Sequence, residues 1–110
     1  SPVINVCLQV NISDEASKSG VAPSQVLELA RQIALLPGLK LRGLMAIPAP
    51  EHEFERQRAV FAQVRLLQQD LNAQGFALDT LSMGMTDDME AAIAEGATIV
   101  RIGTAIFGCR

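Results

Sequence analysis

Tryptophan and tyrosine are absent from these 110 residues, and phenylalanine alone supplies the 4% aromatic content. Few side chains are left on which a nucleobase could stack. The net charge of -3 and the pI of about 5.0 argue against nucleic acid or an anionic membrane as main partner. Cysteine is scarce: Cys7 and Cys109 stand at opposite ends of the chain, with no CxxC pair. His52 is the single histidine, and the absence of Cys/His ligand spacing argues against a structural metal site. Two thiols without a disulfide framework fit a cytoplasmic protein. Asn11-Ile12-Ser13 matches a glycosylation acceptor, which has no meaning as such in that compartment. Only two lysines occur, Lys18 and Lys40. There is no apolar run long enough to span a membrane and no signal-peptide pattern.

Apolar residues are plentiful, at 49% with a mean hydropathy of +0.25. In so short a chain that excess is core, or surface covered by something else. The chain opens at Ser1 without methionine, enters a strand within three residues and stops just after Gly108. It reads as a fragment or a processed product.

Val3 to Val10 is a nearly continuous apolar run rich in β-branched residues, as in a buried parallel strand. Residues 11–20 form a long polar loop. Ser13 and Asp14 within it either line a site or serve turn chemistry. Pro23-Ser24 begins a helix with Val26, Leu29, Ala30, Ile33 and Ala34 on its apolar face. It ends near Leu36-Pro37-Gly38. Leu39 to Ile47 is the second strand, and Gly43 inside it predicts a bulge or a close backbone approach. Arg42 in that strand is expected to pair with an acidic neighbour. Glu53 to Ala73 is a long amphipathic helix with Phe54, Phe61, Val64, Leu67 and Leu71 as its buried side. Gly75 ends it. Ala77 to Leu81 is the third strand.

The last third, LSMGMTDDMEAAIAEGATIVRIGTAIFG, organises the rest. The third strand runs into a loop at Ser82-Met83-Gly84-Met85. Thr86-Asp87-Asp88 opens a helix with a hydroxyl or carboxylate placed to cap it. The helix is Met89 to Glu95, stopped by Gly96. A fourth strand, Ala97 to Ile102, ends in Gly103-Thr104. The order β-α-β-α-β-α-β means a parallel α/β sheet. Two strands thus end in small or hydroxyl residues: Ser82 and Gly84 in one loop, Gly103 and Thr104 in the other. Such loops let a phosphate approach backbone N–H groups. The same residues also serve simply to turn the chain, and spacing alone does not choose between the two. Asp87-Asp88 fits a cap as well as an acid pair. His52, among Glu51, Glu53 and Glu55, reads as a surface residue.

The segments NISDEASKSG, LRGLMAIPAP, SMGMTDDMEAAI and VRIGTAIFG resemble the pyridoxal-phosphate homeostasis proteins, a family similar to the N-terminal barrel domain of alanine racemase. The resemblance spans essentially the whole chain. It implies the second half of a TIM (β/α)8 barrel, the fifth to eighth strands, four parallel strands alternating with helices. It implies pyridoxal 5'-phosphate (PLP) as cofactor. Ser82 would bind the phosphate, as would Gly103 and Thr104. Arg101 would face the pyridine nitrogen, Met45 would pack beside the ring, and Met83 and Gly84 would line the pocket. A guanidinium at that nitrogen disfavours its protonation and restrains the cofactor's chemistry. The family's Schiff-base lysine belongs to the first barrel strand. Lys40 begins a strand on the wrong face, and Lys18 sits on a solvated loop. The expected role is a PLP-binding protein of vitamin B6 and amino-acid homeostasis. Two alternatives stand beside it: an alanine-racemase-like enzyme, for which no tyrosine is present, and an inert half-barrel that pairs with a copy of itself or with its missing N-terminal half.

Overall fold

The computed structural model describes residues 2–13 and 19–103. Three parallel strands make one sheet in the order β1-β2-β3: β1 is Ile4–Gln9, β2 is Leu39–Ala46 and β3 is Thr80–Met83. Helix α1 (Val26–Ala34) follows a single 3-10 turn at Pro23–Gln25, where proline suits a first-turn position with no N–H to satisfy. Helices α2 (Phe54–Ala73) and α3 (Met89–Ala94) complete the alternation.

The sheet has one covered face. Leu8, Val10, Leu44, Ala46, Leu81 and Met83 point to it. They pack with Val26 and Ala30 of α1, Phe61, Val64 and Leu71 of α2, and Ala91 and Ala92 of α3. The opposite face carries Cys7, Gln9, Met45, Thr80 and Ser82, which are half-buried or exposed. Side chains alternate along a strand, so one apolar set meets the helices and the other looks away. The apolar excess of the sequence is therefore partly unspent inside this chain. Ile4, Leu35 and Leu36 all lie exposed at the end of the sheet where the strands begin.

The predicted irregularity at Gly43 is a β-bulge. Val6 pairs with Leu41 but Cys7 pairs with Gly43, so Arg42 is skipped. A Cβ on Gly43 would lie 1.7 Å from the Thr80 carbonyl oxygen, so only glycine fits. Next to the bulge, the Leu44 N–H donates to Oε1 of buried Gln68 at 3.0 Å. Skipped Arg42 turns to Asp79, with its Nε 3.2 Å from Oδ1 and a second, shorter contact beside it. That is the acidic partner expected for it. Gly75 and Gly96 take φ of +106° and +99° just beyond α2 and α3, as helix-stopping glycines do.

The fourth strand does not form as predicted. Residues 97–102 run beside β3 but contribute only the bridge Ser82↔Ile99. The reason is local. The Leu81 N–H donates to the Thr98 hydroxyl at 2.9 Å instead of to a backbone carbonyl. The Leu81 carbonyl accepts from both Thr98 N and Ile99 N. A side-chain hydroxyl has displaced the first rung of the ladder.

Phe54 is a second departure. It opens α2 and is 42% exposed, beyond the reach of the sheet, with the Arg58 guanidinium 5.9 Å from its ring centre. The cap of α3 is a third. No side chain caps it; Oδ1 of Asp88 instead accepts from the Met85 N–H at 2.7 Å. The expected strand limits also move. β3 begins later than Ala77 and extends through Ser82 and Met83.

Candidate functional site

Parallel strands deliver their following loops to one end of the sheet. The loop after β2 starts at Ile47, and the loop after β3 starts at Gly84. Between them and the segment from Ile99 to Arg101 lies a small cleft of about 20 Å³. Ser82, Gly84, Met85, Asp88, Ile99 and Arg101 are among its lining residues.

Ser82 was expected in a loop; it lies inside β3. It pairs with Met45 on one side and bridges to Ile99 on the other, so a ladder and a single bridge hold it. Its side chain stands on the uncovered face, and its hydroxyl has no hydrogen-bond partner among the described residues. Arg101 is held by its own N–H, which donates to the Gly84 carbonyl at 3.0 Å. Its guanidinium is exposed and has no ion-pair partner among the described residues. Gly84 has φ +105°, and a Cβ there would come within 2.6 Å of the Ala92 Cβ. Glycine thus lets α3 pack against the turn that borders the cleft. Met83 also borders the cleft, yet it is 2% exposed and belongs to the hydrophobic core. Its expected place as a lining residue is shared with a structural one.

Met45 does not border the cleft, although it is the direct neighbour of Ser82 on the uncovered face. Gly103 is exposed and does not line the cleft. Thr104 and Lys18 lie outside the described residues. Lys40 pairs with Asn5 near the start of the strands, at the other end of the sheet from the cleft.

The rim of this end is laced together by hydrogen bonds that sequence reading missed. The Ala49 N–H donates to the Ser13 hydroxyl at 2.8 Å, joining the first two loops. Gln57, 8% exposed, donates from Nε2 to the Glu51 carbonyl at 2.7 Å and the Asp87 carbonyl at 3.4 Å. It joins the second loop to the third. The Gly84 carbonyl then meets Arg101. Two charged carboxylates near the rim are occupied by backbone donors. Oε1 of Glu51 accepts from the N–H groups of His52 and Glu53, each at 3.1 Å. Asp88 holds Met85. The signal for Gln57 was present in the sequence only as a polar residue one turn into an amphipathic helix, a position that solvent normally claims.

Below the rim, α3 is fastened to α2 by Glu95. Its carboxylate takes Arg58 Nε at 2.9 Å and an Arg65 terminal nitrogen at 3.1 Å. The Arg58 hydrogen bond holds the Glu95 carboxyl below the usual range, and Arg65 adds to this against the effect of burial. On the uncovered face, partial desolvation pushes the Cys7 thiol up; nearby Arg42 opposes this and Asp79 reinforces it.

An arginine and a hydroxyl without partners among the described residues, both lining one cleft, suit an anionic ligand with polar groups. Residues 1–110 match the family model described as alanine racemase, N-terminal domain. The chain is 62% identical over 109 residues to the pyridoxal phosphate homeostasis protein of Pseudomonas aeruginosa, covering 99% of this chain and 46% of that one. It spans about half the length of the curated relatives it matches. Among solved structures, an unknown protein from Bifidobacterium adolescentis superposes with a TM-score of 0.87 at 45% identity, covering 96% of this chain and 44% of that one. PipY of Synechococcus elongatus, solved with PLP bound, does so with a TM-score of 0.83 at 34% identity, covering 97% of this chain and 50% of that one. The chain belongs to the alanine racemase N-terminal domain family.

Proposed function

We propose that this chain supplies the phosphate end of a PLP site in a protein that binds the cofactor and helps balance vitamin B6 and amino-acid pools. The observation that carries this reading is the pairing of two unpartnered donors, the Ser82 hydroxyl and the Arg101 guanidinium, in one cleft at the C-terminal end of a parallel sheet. The relatives named for PLP homeostasis and PipY with its bound PLP support it.

The Ser82 hydroxyl and the Arg101 guanidinium suit the group's phosphate and ring nitrogen. Ser82 and the backbone around Gly84 would take phosphate oxygens, with Gly103 and Thr104 completing the cup. Arg101 would sit at the ring nitrogen and keep it free of a proton, because a guanidinium does not give up its own charge. Met45, beside Ser82, would pack on the ring. When bound, PLP supplies an electron-withdrawing ring to an amine substrate. This chain's own residues bind, orient and restrain it. The residue that would hold the aldehyde end is not among the described residues around the cleft.

The uncovered sheet face is read as the side on which the remaining strands of an eight-stranded barrel close, with this chain as its second half. A cytoplasmic location is part of the same reading.

Titration of the protein carrying this chain with PLP, followed by absorbance and fluorescence, tests the site. Ser82→Ala is expected to weaken PLP binding about tenfold, the loss of one hydrogen bond to a charged group. It should leave pyridoxal, which has no phosphate, unaffected. Arg101→Met should change the pH at which the bound ring nitrogen titrates. PLP affinity unchanged by both substitutions would overturn the reading.

A further inference from the structure

Gln57 has a role that neither its residue type nor its place in an amphipathic helix would announce. It lies in the first turn of α2 and is 8% exposed. A buried amide needs partners. It finds them in two backbone carbonyls belonging to two different loops, Glu51 at 2.7 Å and Asp87 at 3.4 Å. One loop follows β2 and the other follows β3; the cleft with Ser82 opens between them.

The electrostatics of the rim give the contact its consequence. Asp87, Asp88 and Glu90 line one groove with Gln57, and Glu51, Asp87 and Asp88 line the groove beside it; His52 is the one basic residue lining either. Loose carboxylates there would repel a phosphate in the neighbouring cleft. Two of them are not loose: Glu51 is turned onto the His52 and Glu53 N–H groups, and Asp88 onto Met85. Asp87, whose carbonyl Gln57 holds, directly precedes Asp88. Fixing Asp87 therefore fixes the turn in which Asp88 stays locked on Met85, next to Gly84 at the cleft.

We propose that Gln57 is a positioning residue for the cleft: its amide joins the two loops and holds the 84–88 turn, with the Asp88 carboxylate engaged by backbone, in the shape that accepts a phosphorylated ligand. The proposal rests on the PLP reading for the identity of that ligand. It deepens the reading by assigning phosphate selectivity to a residue that does not itself border the Ser82 cleft.

The test uses the protein carrying this chain, with Gln57→Met, which keeps length and volume but loses both donors. Gln57→Asn, one methylene short, serves if the methionine variant does not fold. Without ligand, amide hydrogen exchange at Met85 is expected to accelerate about tenfold, while exchange in the β2 core stays as in the parent. With ligand, PLP affinity is expected to fall about tenfold and pyridoxal affinity to stay within twofold, so the ratio of the two falls. Gln57→Lys, whose ammonium reaches the same carbonyls amid acidic neighbours, should restore both. Unchanged exchange at Met85 overturns the clamp itself. An equal loss for PLP and pyridoxal assigns Gln57 a general stabilising role and also overturns the proposal. If Gln57→Met accelerates exchange but neither it nor Ser82→Ala alters PLP binding, the PLP reading is what fails. If Ser82→Ala weakens PLP and Gln57→Met does not, the proposal alone fails.

Discussion

Single residues in this chain act mostly by satisfying backbone. Gln68 does so at the bulge, where the Leu44 N–H has no place in the ladder. Gln68→Leu leaves that buried donor alone and should cost about 1–3 kcal/mol in denaturant unfolding. Asn72 does so at the end of α2, giving Nδ2 to the Leu78 carbonyl at 3.0 Å and taking the Leu78 N–H at 2.8 Å. None of these amides stood out in the sequence. A glutamine on a helix reads as solvated, and only the packed structure shows which backbone group lacks a partner. Glycines were more legible. Gly43 interrupts a strand pattern, and the physical need for its missing Cβ is the same in sequence and in space. Gly43→Ala forces the Thr80 carbonyl aside and should lower stability by about 3 kcal/mol, measured by thermal unfolding. Ser82 and Arg101 were legible as polar residues where apolar strands end, and the structure brings both to one cleft.

At the scale of elements, the alternation of strands and helices followed from periodicity, because each helix here has an apolar stripe and each strand a covered face. The fourth strand was overread. Residues 97–102 have the composition of a strand, but composition does not reveal that the Thr98 hydroxyl takes the Leu81 amide. The cap of α3 was overread for a similar reason: Asp88 is a good capping residue that finds a nearer donor in Met85. Helix α3 is short and gains its place from Glu95, buried between Arg58 and Arg65. Because the folded carboxyl titrates below its unfolded value of about 4.3, its contribution is complete above that pH. It is lost as pH falls through the folded value. Glu95→Gln should therefore destabilise the protein at pH 7, by about 1–2 kcal/mol given the partly exposed arginines. The difference from the parent should shrink below pH 4. A constant difference from pH 7 to pH 3 would contradict this account.

As a whole molecule, the chain is a one-sided sheet. Its helices cover one face and leave Met45, Ser82 and Cys7 on the other. The loops that follow its strands meet in a laced rim. The sequence showed which ends would carry the site, since parallel strands put their C-terminal loops together. It did not show the lacing, which joins residues far apart in the chain such as Ser13 with Ala49 and Gln57 with Asp87. The rim explains why a site can be built on loops here without being loose: each loop is tied to the next by a hydrogen bond. Removing the tie at Ser13, by Ser13→Ala, should raise hydrogen exchange at Ala49 and leave exchange in β3 unchanged.

In the proposed site, Ser82 and Arg101 hold the two ends of one PLP molecule. A crystal structure of the protein carrying this chain, grown with PLP, tests it most directly. Phosphate oxygens are expected within hydrogen-bond reach of the Ser82 hydroxyl, with the pyridine nitrogen facing the Arg101 guanidinium. PLP bound elsewhere on the protein, with both side chains turned to solvent, would contradict it.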